Sequence, residues 1–109
     1  MADTRTVELE NGDKITVRRH GGHILREVQK AAEKRNVPIG TTRPGDLYEM
    51  ALISAEILVQ SWERNGAALD KKAVRQMLEE HNSVLSLISA AAQELQAEHD
   101  EGFKAVEKN

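Results

Sequence analysis

The side chains of this 109-residue chain with potential for chemistry are four histidines and eighteen carboxylates. It has no cysteine, which removes thiolate nucleophiles, thiolate metal sites and any disulfide framework. His20 and His23 bracket Gly21-Gly22, a spacing that could bring two imidazoles to one ion, but no recognisable third ligand accompanies them and no metal is expected. His81 falls at an expected helix junction. His99 lies on the apolar stripe of the last helix, where packing is the simpler role. Glu79-Glu80 and Asp100-Glu101 are neighbours on helices, so their side chains point about 100° apart and do not converge. The segment GTTRPGD precedes a helix, whose first N–H groups could hold phosphate, yet it lacks the lysine and glycine spacing of a P-loop. It reads as a linker with Asp46 as the helix cap. No serine sits in a nucleophile elbow and no GxGxxG follows a strand, so neither catalysis nor a cofactor is expected.

The elements that would carry these residues are organised around 46–64, DLYEMALISAEILVQSWER. Wound as a helix, Leu47, Ala51, Ala55, Leu58 and Trp62 form one apolar stripe. Met50, Ile53 and Ile57 widen it on one side, and Tyr48, Leu52 and Val59 on the other. Only Glu49, Glu56, Gln60 and Glu63 are left as a polar strip, so this helix needs neighbours on several sides. Glu49 and Glu56 also interrupt it too often for a membrane span.

Before it, 6–18 reads as a β-hairpin with Val7, Leu9, Ile15 and Val17 alternating with polar residues. A two-residue turn at Asn11-Gly12 would put the two apolar pairs on opposite faces. A three-residue loop, Glu10-Asn11-Gly12, puts all four on one face and requires Gly12 to be left-handed. A lone hairpin is marginal in water, so this face must lie on a helix or join further strands. A helix is expected over 23–35, with Ile24, Leu25, Val28, Ala31 and Ala32 inward and Arg26, Lys30 and Lys34 outward, followed by a linker over 36–45. After a turn at Asn65-Gly66, Asp70 caps a helix over 70–81, with Leu69 placed to meet Val74. A possible break follows, with Asn82 or Ser83 as cap. The last helix, 83–106, carries Val84, Ile88, Ala91, Ala92 and Leu95, continued by His99, Phe103 and Val106. The expected fold is one α+β domain, mainly α: an N-terminal β-hairpin and about four helices packed around the central helix.

Composition restricts the class of function further. The chain holds one Trp, one Tyr and one Phe, so its core must be aliphatic. Up to Asn36 there are eight Lys or Arg against six Asp or Glu, and from Val37 seven against twelve. The net charge of −3 argues against a general nucleic-acid binder. No basic stretch followed by an apolar run opens the sequence, so a soluble cytoplasmic protein is expected. Either the chain packs completely around the broad apolar band of the central helix, or part of that band meets another protein or a second copy.

The order of features, with VELENGDKITV, a helix, a glycine-containing linker entering an apolar helix that ends in ILVQSW, then NGAAL and two charged helices, resembles the small tail assembly chaperones of long-tailed bacteriophages. Its most specific part is the segment from Ile57 to Leu69. The resemblance implies a mainly helical cytoplasmic protein that coats the tape-measure protein while the tail tube polymerises and is absent from the finished virion. It also implies a longer form made by ribosomal frameshifting. A helical chaperone could cover the tape measure's apolar stripes by helix-in-groove contact, with Tyr48, Leu52 and Val59 of the central helix and Ile88 and Leu95 of the last helix as the expected partner-binding residues. Alternatives are a permanent virion protein, such as a head–tail joining or minor tail protein, and a small DNA-binding regulator using Arg18, Arg19, Arg26 and Lys30.

Overall fold

Strands β1 (Thr4–Glu8) and β2 (Lys14–Arg18) pair antiparallel in the register that apolar alternation demands, with Val7 opposite Ile15. The loop is the three-residue form. Gly12 has φ +91°, its N–H reaches the Leu9 carbonyl at 2.9 Å, and the Leu9 N–H reaches the Asp13 carbonyl at 2.8 Å. A side chain at Gly12 would be strained by this φ, so glycine is required for the turn. The computed structural model describes residues 3–103, which build four helices and one four-stranded antiparallel sheet, an α+β fold in which helix predominates.

Helix α1 (Gly22–Lys34) buries Ile24, Val28 and Ala32, spaced four apart along one line. Leu25, expected inward, is 53% exposed because it stands about 100° from that line. Asn36, with φ 56°, stops the helix: its N–H bonds the Glu33 carbonyl and the Val37 N–H bonds the Ala32 carbonyl, a Schellman closure that also buries Val37. Helix α2 (Pro44–Leu58) begins before the expected cap. Pro44 occupies its first turn and Arg43 is the N-cap residue, so Asp46 lies inside the helix, where its carboxylate accepts from the Thr41 hydroxyl at 3.1 Å.

The expected helix 46–64 ends at Leu58 and turns directly into strand β3 (Val59–Arg64), with Val59 at φ −78°, ψ 112°. No glycine or proline marks this change, and the helical period runs through it. The competing demand comes from β2, whose second edge needs a partner. β3 takes that edge with Trp62 opposite Ile15 and Thr16 opposite Ser61, and Gln60 is the extra residue of a bulge. Asn65 and Gly66, both left-handed at φ 53° and 80°, make a two-residue hairpin turn into β4 (Ala67–Ala68), not a link between helices. The sheet order is β1-β2-β3-β4.

Helix α3 (Lys71–Glu80) is capped as expected, with the Asp70 carboxylate accepting from Ala73 N–H at 2.8 Å. Helix α4 (Asn82–Glu101) is separate from α3, divided at His81. Neither Asn82 nor Ser83 caps it; His81 holds the cap position without a side-chain bond, and the Asn82 side chain accepts from the Tyr48 hydroxyl at 3.1 Å. Val84, Ile88, Ala91, Ala92 and Leu95 are buried as expected. Phe103 is 73% exposed, its ring 5.1 Å from that of His99, and Val106 lies outside the described residues. α4 lies against β1 and β2, α2 packs against all three other helices, and Ile15, Val17, Leu52, Ile53, Trp62 and Ile88 meet in one core.

One buried polar group joins the strands. Asp13 has the same parity as Ile15 and Val17, so it points inward and is only 2% exposed. It accepts from Trp62 Nε1 at 3.0 Å, from Arg64 Nε at 3.1 Å and from Arg64 Nη2 at 2.8 Å. The hydrogen bonds from Arg64, then Trp62, outweigh burial and hold its carboxyl well below the usual carboxylate range. A carboxyl depressed in the folded state stabilises fully above its unfolded value of about 3.9 and loses that contribution as pH falls through the folded value. Asp13→Asn is therefore expected to be less stable than the parent in urea unfolding at neutral pH. The difference should shrink below about pH 4, as followed by fluorescence of the single tryptophan.

Candidate functional site

α1, α2, β3 and the start of α3 enclose an open cleft of about 530 Å³. Its apolar lining comes from Ala31, Ile57, Val59, Leu69 and Val74, with Ile53 fully buried behind them. Leu69 and Val74, expected to meet at the start of α3, both face it. The charged rim comprises Arg18, Glu27, Arg35, Glu56 and Lys71.

The walls of the cleft are tied by an ion network on α2. Glu49 and Glu56 are seven residues apart, two turns along one helix face. Arg35, the residue that ends α1, reaches Glu56 at 3.0 Å and Glu49 at 3.5 Å. From the other side Arg75 of α3 grips both Glu49 oxygens through Nη2, at 2.9 and 2.8 Å, and bonds Glu79 through Nε at 2.8 Å. Arg75 Nη1 is buried without a hydrogen-bond partner, held only by the charge of Glu56 Oε2 at 3.2 Å. Burial opposes the Arg75 charge, but hydrogen bonds to Glu79 and Glu49 and the nearby carboxylates outweigh it and raise its pKa further. Two residues of the expected polar strip, Glu49 and Glu56, thus form the clamp that holds α1 and α3 to α2, whereas Gln60 and Glu63 leave with β3. An acidic pair seven apart on an otherwise apolar helix was the available signal, but Arg35 and Arg75 could be assigned to it only once the helices were placed.

Of the five residues expected to meet a partner, Leu52, Ile88 and Leu95 are 1%, 1% and 2% exposed, so they belong to the core and offer no docking surface. Most of the apolar width credited to the central helix is covered within the chain, because Trp62 leaves with the sheet and α1, α3 and α4 pack on α2, but Leu47 and Ala51 of the expected stripe are exposed, Leu47 to 50%. Val59 is half-buried and lines the cleft. Tyr48 is 40% exposed outside it.

The basic residues of the N-terminal half are largely spent on structure. Arg18 donates to the Ile57 carbonyl at 3.1 Å, satisfying the end of α2, and to Glu27 at 3.2 Å. Arg19 bonds Asp3 and Gln96, and Arg5 bonds Glu94 and Glu98 at 2.6 Å each. Arg26, Lys30 and Lys34 lie on exposed positions of α1. Of the HGGH glycines only Gly21 is closely packed, a Cβ there coming to 3.0 Å from Arg19 Nη1 and His23 Nδ1, whereas a Cβ on Gly22 would meet open space. Among the described residues no group of three or more His, Asp or Glu is placed to hold a metal ion, and no helix is long and apolar enough to cross a membrane.

Leu52→Ala and Ile88→Ala are each expected to cost about 2–5 kcal/mol in chemical unfolding, as core truncations do. Arg75→Met is expected to cost about 1–3 kcal/mol, because Glu49 loses its paired donors. In comparisons with known proteins, no family model, curated protein or solved structure matched the chain.

Proposed function

We propose that this protein is a non-enzymatic factor of phage tail morphogenesis, a cytoplasmic tail assembly chaperone that binds a long helical tape-measure protein and self-associates along it. The observation that supports this reading is the cleft, in which aliphatic side chains alternate with paired charges around an open volume of about 530 Å³. Such a mixed surface suits reversible binding, since a chaperone must release its partner when the tube closes. With Leu52, Ile88 and Leu95 in the core, the cleft takes over the role that sequence assigned to them.

A permanent virion protein is the second reading. β1 is the terminal strand of the sheet, and its outer edge could join a neighbour's sheet. A DNA-binding role is the weaker alternative, because Arg18 and Arg19 are already bonded within the fold.

Light scattering across a concentration series, alone and with a co-expressed long helical partner, tests the proposal. A concentration-dependent oligomer that forms a stable complex with the partner is the expected result; a monomer that ignores the partner overturns it. Detection of the chain in purified particles by mass spectrometry would favour the virion reading.

A further inference from the structure

The sheet ends in two unlike edges. β4 is two residues long, a short and guarded edge, whereas β1 presents five residues, Thr4–Glu8. The Arg19 N–H bonds the Asp3 carbonyl and the Leu9 N–H bonds the Asp13 carbonyl, with Val7 opposite Ile15 between them. Odd-numbered residues of β1 therefore turn their backbone groups to β2, and Thr4, Thr6 and Glu8 turn theirs away. The outer edge so formed spans roughly 17 Å at about 3.4 Å per residue, and no strand pairs with it among the described residues. No proline, lysine or bulge guards TRTVE. Its one inward charge is Arg5, whose guanidinium Glu94 and Glu98 draw onto α4.

This edge is complementary to itself. A two-fold axis normal to the sheet, passing between Thr6 of two copies, pairs all five residues of each β1, and every other antiparallel register pairs fewer. Thr4 then faces Glu8 of the other copy and Arg5 faces Val7, so no like charges stand opposite each other. On the wet face the Thr6 and Thr16 hydroxyl oxygens lie 3.3 Å apart and Ser61 is opposite Thr16, a row of hydroxyls that the axis continues into the second copy. α4 supplies a further contact. Glu94 and Glu98 mark the side of that helix beneath the open edge, and Leu87, 46% exposed, stands two turns before Glu94 on the same line. A copy added at β1 brings its own α4 alongside and covers this side chain.

We propose that the chain forms a symmetric dimer through β1, with its two four-stranded sheets joined into one, Thr6 on the axis and the two α4 helices side by side beneath. This rests on the self-association in the reading above and names the surface that carries it. The cleft between α1, α2, β3 and α3 stays free for the long helical partner.

The test uses the full chain in sedimentation velocity over a concentration series and in amide exchange followed by NMR. The parent is expected to pass from monomer to dimer, with the amides of Thr4, Thr6 and Glu8 gaining protection as it does, while those of Arg5 and Val7 are protected throughout. Thr6→Pro removes an N–H that β2 does not use, and it should weaken the dimer about thirtyfold, the loss of two backbone hydrogen bonds across the axis. The Thr6 side chain is exposed, so Thr6→Lys and Thr6→Glu keep the fold. Each should weaken the dimer about fivefold by setting like charges opposite each other, and an equimolar mixture of the two should restore it. The charge variants decide the matter even where the proline variant fails to fold. A parent that stays monomeric, or a dimer that the charge variants leave unchanged and in which Thr4, Thr6 and Glu8 stay unprotected, overturns the proposal. Protection of those amides only in the presence of the long helical partner gives the edge to that partner and also overturns it. If a monomeric parent binds the helical partner, the edge dimer fails while tape-measure binding stands. If the dimer forms through β1 and the helical partner is ignored, the chaperone reading fails and the edge dimer stands.

Discussion

A single buried carboxylate determines how the halves of this chain meet. Asp13 sits one residue past the hairpin turn, on the inward side of β2, and could not be buried without donors. Trp62 and Arg64, two residues apart and so on one face of β3, supply them. Burying Asp13 without partners would be costly, so its bonds to Trp62 and Arg64 favour 59–64 as a strand in this register against β2. The sheet that follows has one wet face, where Thr6, Thr16 and Ser61 lie in a row and Lys14 opposes Glu63. The other face is closed by α4.

The same selection shapes the cleft. Because 59–64 leaves the helix, α2 is short enough for α1 and α3 to flank it, and Glu49 and Glu56 become the posts to which Arg35 and Arg75 are tied. Arg18 belongs to both parts, closing the last turn of α2 through the Ile57 carbonyl from the end of β2. The cleft is therefore the seam between a sheet and a helical layer. Its lining mixes backbone edge, aliphatic groups and paired charge because those are the parts that meet there.

Local rules made much of this legible in the sequence. Parity gave the hairpin loop and its left-handed Gly12, the helical period gave the buried line of α4, and Asp70 declared the start of α3. What escaped was governed by distant residues. The sequence from Leu58 to Val59 contains no breaker, and Trp62 fits the helical stripe as well as it fits a strand opposite Ile15. The parity that placed Ile15 and Val17 inward also placed Asp13 inward, and a buried carboxylate in search of an indole and a guanidinium was the clue that 62 and 64 share a face. The candidate site was less legible still. Its apolar residues were sought on the widest helix, but width measured on one helix says nothing of how many neighbours cover it, and Leu52, Ile88 and Leu95 proved to be covered. The cleft depends on where β4 stops, which is set by the cap of the following helix.

The separation of Asp13 from Trp62 by 49 positions bears on how the chain acquires its structure. The hairpin and α1 are built from neighbours in sequence, but β2 pairs with a strand that lies beyond two helices, and such non-local closure slows folding. The bond from Trp62 to Asp13 can therefore form only when the chain between them, with both of its helices, has folded back over the hairpin, so the contact that fixes the register of the sheet is among its most distant in sequence.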